Sequence, residues 1–461
     1  MTVRSFPQGV LQVIVGALEL GAFALVASIV TTASVADTQT NVGVAPSKRQ
    51  LAWQEREFEA LVHYGMNTFT GREWGGGTEE PAIFAPGSLD GAQWAQAAKS
   101  FGAKALILVC KHHDGFCLWP TAQTDYSVKH ARWRDGKGDL VKEVSDACRR
   151  EGLKFGIYLS PSDLHESSFG RDSGRYNDFF VAQLRELLTG YGEICEVFFD
   201  GANPSRRQQK YDWQRYYRTI RELQPNAVIA IRGPDVRWVG NEAGVGRLSE
   251  WSTIGLPKES AQYDWHDMMA EDLGSRAQLA AAKEVCWYPA VADVSLRDGW
   301  FWRSSTDRSV KSVAKLLEIY EHSVGRNCGL QLNIMPDTSG RIPEADMKRL
   351  AEFGEALRSR FGTNVLAGVA GAKSADGRGL TMDLNPPRDL RYVVLREDIT
   401  RGQRVEAVEV TLTDEEGRVA TLKATTVGWK RILRANATKV KSLEVRVLES
   451  RDTPILSVEG Y

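Results

Sequence analysis

From Phe58 to about Phe361, short apolar runs alternate with stretches whose apolar residues recur at helical spacing. Leu61-Val62-His63-Tyr64-Gly65 reads as a first strand. Ala105-Leu106-Ile107-Leu108-Val109 is a continuous apolar run, the pattern of a strand buried on both faces. Phe155-Gly156-Ile157-Tyr158-Leu159, Val197-Phe198-Phe199 and Val228-Ile229-Ala230-Ile231 continue the series, and Leu330-Gln331-Leu332-Asn333-Ile334 ends it. Between them the pattern predicts a helix capped by Asp90 and carrying Trp94, Ala97 and Ala98, and another beginning near Gly138. Further helices are predicted from Asn177 to Thr189, through Tyr216 and Ile220, from Ser309 to His322, and after Pro343. The rhythm breaks into long loops between Gly233 and Gln278.

Strand–helix alternation implies parallel strands, closed as a barrel or open as a doubly wound sheet. No glycine-rich phosphate loop follows the first strand, which argues against a nucleotide-binding sheet. Several strands end in polar groups: His63; Lys111 with His112 and His113; Ser160 with Asp163; and Asp200. In a barrel these ends converge on one mouth. The expected fold is therefore α/β, a partly irregular (β/α)8-type, TIM-like barrel over residues 37–362.

After about Asn364 the period changes to two. Leu390–Leu395, Val405–Val410 and Ser442–Val447 alternate between turn residues, which predicts a C-terminal antiparallel β-sandwich over residues 363–461.

The amino terminus reads as a targeting segment. Arg4 precedes an apolar stretch from Val10 to Val30, broken only by Gln12, Glu19 and Ser28, and Ser34-Val35-Ala36 fits a cleavage site. The expectation is a signal peptide over residues 1–36 and an exported, periplasmic or extracellular protein of a bacterial kind, with no membrane association after cleavage.

A formal net charge of -1 gives no reason to expect nucleic acid as a partner. The six cysteines show no metal-ligand spacing, and Cys110, Cys148 and Cys195, which lie in apolar strand or helix patterns, are expected as buried free thiols. Thirteen tryptophans suit either core or sugar stacking. No metal or cofactor is expected, and the oligomeric state is left open.

Asp200 follows an apolar strand and precedes Gly201, so its carboxylate is poorly solvated unless it opens into a cleft. On a strand His112 and His113 would point opposite ways, which favours hydrogen bonding to hydroxyls over joint metal ligation. Glycoside hydrolysis with retention needs a second carboxyl near the first. Glu242 and Glu250 are both candidates, and composition does not choose between them.

Several pieces occur in a telling order: Val62–Phe69, Glu73-Trp74, Lys111–Phe116, Tyr158 with Ser160-Pro161, and Phe199–Ala202. Together they resemble glycoside hydrolase family 29, the α-L-fucosidases, over about Trp53 to Phe361. The run Gly233–Gly244 resembles the subgroup that prefers α-1,3- and α-1,4-linked fucose. The resemblance implies a retaining exo-α-L-fucosidase acting on a fucosylated glycan. It makes Asp200 the nucleophile and Glu242, in preference to Glu250, the acid/base. It implies that His63, Glu73, Trp74, His112 and His113 hold the sugar hydroxyls and that Tyr158 lies beside the nucleophile. Arg232 would contact the sugar or Asp200, and Trp287 and Trp300 would wall the sugar methyl. Phe198 departs from the family, where Trp often stands two residues before the nucleophile. A barrel glycosidase of other sugar specificity, or a sugar-binding relative without catalysis, are the alternatives. The stretch Trp251–Gly274, with Tyr263, Trp265 and His266, is a candidate acceptor surface or an ordinary loop.

Overall fold

A computed structural model of the chain describes residues 44–202, 207–256 and 269–461. The expected signal segment, and Tyr263, Trp265 and His266, lie outside the described residues.

In chain order the first part comprises α1 (Lys48–Arg56), β1 (Phe58–Val62), α2 (Met66–Thr70), α3 (Gly91–Ser100), β2 (Ala105–Lys111), α4 (Leu140–Glu151), β3 (Lys154–Leu159), α5 (Ser173–Gly190), β4 (Glu196–Phe199), α6 (Trp213–Leu223) and β5 (Val228–Ile231). Then follow β6 (Arg237–Trp238), β7 (Thr253–Leu256), α7 (Arg276–Ala281), β8 (Glu284–Trp287), β9 (Ala290–Ser295), α8 (Val313–His322), β10 (Gly329–Ile334) and α9 (Glu344–Phe361).

Eight strands form one sheet in the order β5-β4-β3-β2-β1-β10-β9-β6, and every pairing in it is parallel. The first and last of them in the chain meet, Leu61 opposite Asn333. A single bridge, Ala230 to Val236, spans the remaining gap between β5 and β6, so the barrel is nearly closed. The expected irregularity after Gly233 is real. β6 is two residues long, and β7 and β8 pair antiparallel as a separate hairpin.

Short polar side chains start the outer helices where the sequence offered them. Asp90, Asp139, Asp172, Asp212 and Ser312 each accept a backbone N–H from the first turn of α3, α4, α5, α6 and α8. Ser312 is why α8 begins at Val313 rather than at Ser309. The apolar faces of these helices pack on the outside of the barrel, with Trp94, Leu140, Phe180, Tyr216 and Leu316 among the buried residues.

The barrel interior is layered. At the amino ends of the strands, Trp53 Nε1 and Gln331 Nε2 donate to Glu196 at 2.9 and 2.7 Å, and Gln331 also donates to Glu59 at 2.9 Å. Above this polar plug lies an apolar layer that includes Leu61, Ile107, Val109, Phe198, Ala230 and Val291. The carboxyl ends of the strands form the open mouth.

The C-terminal part is antiparallel: β11 (Gly371–Lys373), β12 (Gly379–Glu397), β13 (Val405–Asp414), β14 (Val419–Ala424), β15 (Arg431–Ser450) and β16 (Leu456–Gly460). Register shifts between Asp383 and Tyr392 let the long strands β12 and β15 bend around their own apolar core of Met382, Leu390, Val408, Leu443 and neighbours. Glu57 ties this sheet to the barrel through Arg396 at 2.9 Å and Lys430 at 2.8 Å.

Candidate active site

Asp200 follows β4 directly, at the barrel mouth. Its Oδ2 accepts the Tyr158 hydroxyl at 2.6 Å, and its Oδ1 accepts the Ala202 N–H at 2.7 Å. His113 Nε2 lies 3.6 Å from Oδ2. Burial alone would raise the carboxyl's pKa. His113, the two hydrogen bonds and His63 outweigh burial, and the net effect holds it below the usual aspartate range. Asp200 is thus kept ionised while its side chain stays 28% exposed to the cavity.

Three histidines share this wall. His63 receives Asn333 Oδ1 at both its backbone N–H (3.1 Å) and its ring Nδ1 (2.9 Å). That amide oxygen fixes the proton on Nδ1, and burial pushes the ring down to about 4, so a neutral Nε2 is left as an acceptor. His112 and His113 are pushed down by burial and stay neutral at pH 7. The carboxylate of Asp200 favours an Nε2–H tautomer for His113, whose Nδ1 sits 2.7 Å from the Ser160 hydroxyl. Among the described residues, His112, His113 and Asp200 are the group that could hold an ion, with ligand atoms within 4.8 Å of one another. The same atoms are the ones a sugar hydroxyl would need.

Glu73 accepts the Trp300 N–H and pairs with Arg303 at 3.3 Å. This brings the loop after β9 to the loop after α2. Trp74 stands 52% exposed at the rim, its indole edge-on to His113. Trp300 packs against His63 with ring centroids 5.1 Å apart and donates Nε1 to Glu242 Oε2 at 3.3 Å. Arg232 donates to the Gly201 carbonyl at 3.3 Å. It follows Ile231, whose φ of 66° is unusual for a β-branched residue and turns the strand end toward the mouth.

Glu242 lines the same cavity, and its pKa is raised: burial first, then the charges of Asp200 and Glu73, outweigh the Trp300 N–H. Glu250 is elsewhere. It is buried in an ion pair with Arg237 and lies 3.2 Å from Arg247, and the two cations, overcoming burial, hold it below the ordinary glutamate range. A carboxyl so committed can neither face a substrate nor start protonated. The cavity encloses about 670 Å³, a size suited to a small ligand.

A cavity at the carboxyl ends of parallel barrel strands, with one carboxyl held ionised and another held toward protonation, has the parts of a glycosidase site. Residues 38–360 match the family profile described as alpha-L-fucosidase. The chain belongs to the α-L-fucosidases, glycoside hydrolase family 29. Alpha-L-fucosidase 1 of Arabidopsis thaliana is 39% identical over 450 residues, covering 90% of this chain and 87% of that one. A Bacteroides ovatus crystal structure provisionally described as an α-L-fucosidase superposes with a TM-score of 0.86 at 47% identity, covering 90% of this chain and 74% of that one. A Ruminococcus gnavus GH29 fucosidase in complex with fucose gives 0.78 at 27% identity, with 90% and 94% covered.

This α-L-fucosidase brings together His63, Glu73, Trp74, His112, His113, Tyr158, Asp200, Arg232, Glu242 and Trp300 around one cavity. Trp287 is the exception. It ends β8, is 4% exposed, and donates its indole N–H to Gln54 Oε1 at 2.9 Å. The expectation that it walls the sugar methyl is corrected: its ring is buried against Gln54 of α1 and does not line the cavity.

Further contributors were not anticipated. Leu61, Phe198 and Ile231 give the floor an apolar surface, and Asp293 puts a further carboxyl beside it. The signal for Asp293 lies in Ala290-Val291-Ala292-Asp293-Val294, where a charge interrupts a strand buried on both faces.

Proposed function

We propose that this α-L-fucosidase is a retaining exo-enzyme working by double displacement, with Asp200 as nucleophile and Glu242 as acid/base. The pKa split between these two carboxyls, both lining one cavity, carries the reading. Asp200, ionised and aimed by Tyr158, attacks the anomeric carbon as Glu242 delivers its proton to the leaving oxygen. The resulting glycosyl ester is then opened by water that gives its proton back to Glu242. Neutral His63, His112 and His113 offer hydrogen bonds to ring hydroxyls, and the apolar floor of Leu61, Phe198 and Ile231 suits the methyl of a 6-deoxy sugar. The product anomer tests the mechanism. Proton NMR of the first-formed fucose should show the α anomer, and initial release of the β anomer overturns it. Asp200→Ala should lose nearly all turnover, and azide should restore Glu242→Ala on an activated aryl fucoside.

The resemblance of Gly233–Gly244 to the branched-linkage subgroup supports a preference for α-1,3 and α-1,4 fucosides. The exposed rim residues Trp74 and Met269 support it too, as an apolar surface for a second sugar. Equal rates on α-1,2-linked trisaccharides would remove that preference. The amino-terminal pattern supports export with cleavage near Ala36, which sequencing of the mature amino terminus tests. No helix among the described residues is long and apolar enough to cross a membrane.

A further inference from the structure

The pocket contains a carboxyl that double displacement leaves idle. Asp293 is 7% exposed on β9, and its Oδ1 accepts the Trp238 indole N–H at 2.8 Å. The segment that carries Glu242 lies directly over it. Beyond β6 the chain turns back, and Ala243 forms an antiparallel bridge with Val294. The bridge sets Glu242 opposite Ser295 and Gly244 opposite Asp293. Side chains alternate along paired strands, so Glu242 and Asp293 project to the same side, as diagonal neighbours about 7–8 Å apart at Cα. Both line the cavity. The five-residue run Trp238–Glu242 therefore touches Asp293 twice, once through an indole and once through a carboxyl's field.

We propose that Asp293 is a positioning residue of the acid/base step: it anchors the Trp238–Glu242 segment and shares one proton with Glu242. The inference rests on Glu242 being the acid. Two neighbouring carboxyls, Asp293 buried and Glu242 open to the cavity, resist double ionisation, so one proton stays with the pair into the neutral range. Burial pushes Asp293 up to about 7, with Glu242 and Asp200 adding to the rise and the Trp238 N–H opposing it. The cavity's other titratable or charged groups come from every surrounding element. They are His63 after β1, Glu73 after α2, His112 and His113 after β2, Tyr158 on β3, Asp200 after β4, Arg232 after β5 and Arg303 after β9. Of the arginines, Arg303 lies on Glu73 and Arg232 on the Gly201 carbonyl.

The sign follows from the pairing. Glu242 must be protonated, so kcat/KM is present below the pair's upper pKa and falls as pH rises through it. Taking away the second carboxyl lowers that upper pKa. In Asp293→Asn, which keeps an oxygen for the indole, the alkaline limb of kcat/KM on a fucosylated trisaccharide should move down by about one pH unit. The acid limb should stay in place. Asp293→Leu also frees Trp238 and should lose activity at every pH. An Asp293→Asn profile that superimposes on the wild type, or falls uniformly across pH, overturns the pairing. Glu242→Ala, assayed on an activated aryl fucoside, should have no alkaline limb. If the limb survives there, the acid assignment falls, and the pairing with it. Carboxyl-13C aspartate labelling gives a second reading: burial also pushes Asp114 up to about 7, so the signal of Asp293 is the near-neutral titration that disappears in Asp293→Asn, and a variant that loses none overturns the proposal.

Discussion

Tyr158→Phe isolates the control of Asp200, the proposed nucleophile. The hydroxyl donates to Asp200 Oδ2 at 2.6 Å, in the short class of bonds to an ionised acceptor. The ring itself is 1% exposed and packs on Phe198 with centroids 5.0 Å apart, so phenylalanine fills the same space and the fold is kept. Ala202 N–H and His113 remain on the carboxylate. A hydrogen bond to a charged group contributes about 1.5–3 kcal/mol. At 1.36 kcal/mol per unit, its loss should raise the Asp200 pKa by about one to two units. The depressed pKa means that activity is present above it and lost as pH falls through it. The acid limb of kcat/KM should therefore move to higher pH by that amount, with a smaller loss on the plateau, because the carboxylate sheds charge as it attacks. Initial rates on an aryl fucoside between pH 3 and 8 read this directly. If the limb does not move while the variant stays folded, Asp200 is not the group that sets it.

Glu250→Gln strands the buried Arg237 guanidinium and should destabilise the fold by about 3–5 kcal/mol in urea; the alkaline limb should not move, and a shift would return Glu250 to the acid's role. Trp287→Phe removes the donor to Gln54 and should lower stability by about 1 kcal/mol while KM for small fucosides is unchanged. Gly354→Ala drives a methyl into the Ser100 carbonyl where α9 crosses α3, and should cost about 1–3 kcal/mol, seen as a lower Tm with kcat of the folded enzyme intact.

Much of the barrel was legible because each strand end announced itself. An apolar run that stops at His63, His112 or Asp200 marks a side chain leaving a dry interior for a mouth. Glu242 and Glu250 could not be separated this way, since both sit in a loop region without periodicity. What separates them is three-dimensional: Arg237 alternates with the cavity-lining Trp238 on β6, points away from the cavity and meets Glu250, while Trp300, 58 residues beyond Glu242, meets Glu242. Trp287 misled because tryptophan serves packing as readily as sugar stacking, and only its bond to Gln54 tells which. Asp293 was readable in principle, as a charge inside a strand with no polar face to offer it.

Asn333 Nδ2 donates to Ser295 Oγ and to the Trp300 carbonyl, both at 2.9 Å, while its Oδ1 holds His63. One amide thus clasps the first strand of the ring to the last two. A chain emerging from the ribosome cannot orient the His63 imidazole until this asparagine has been added, 270 residues after the histidine it fixes. Shortened chains that end before β10 would carry Asp200 and still have no pocket, so competence to cleave arrives late and all at once rather than by degrees.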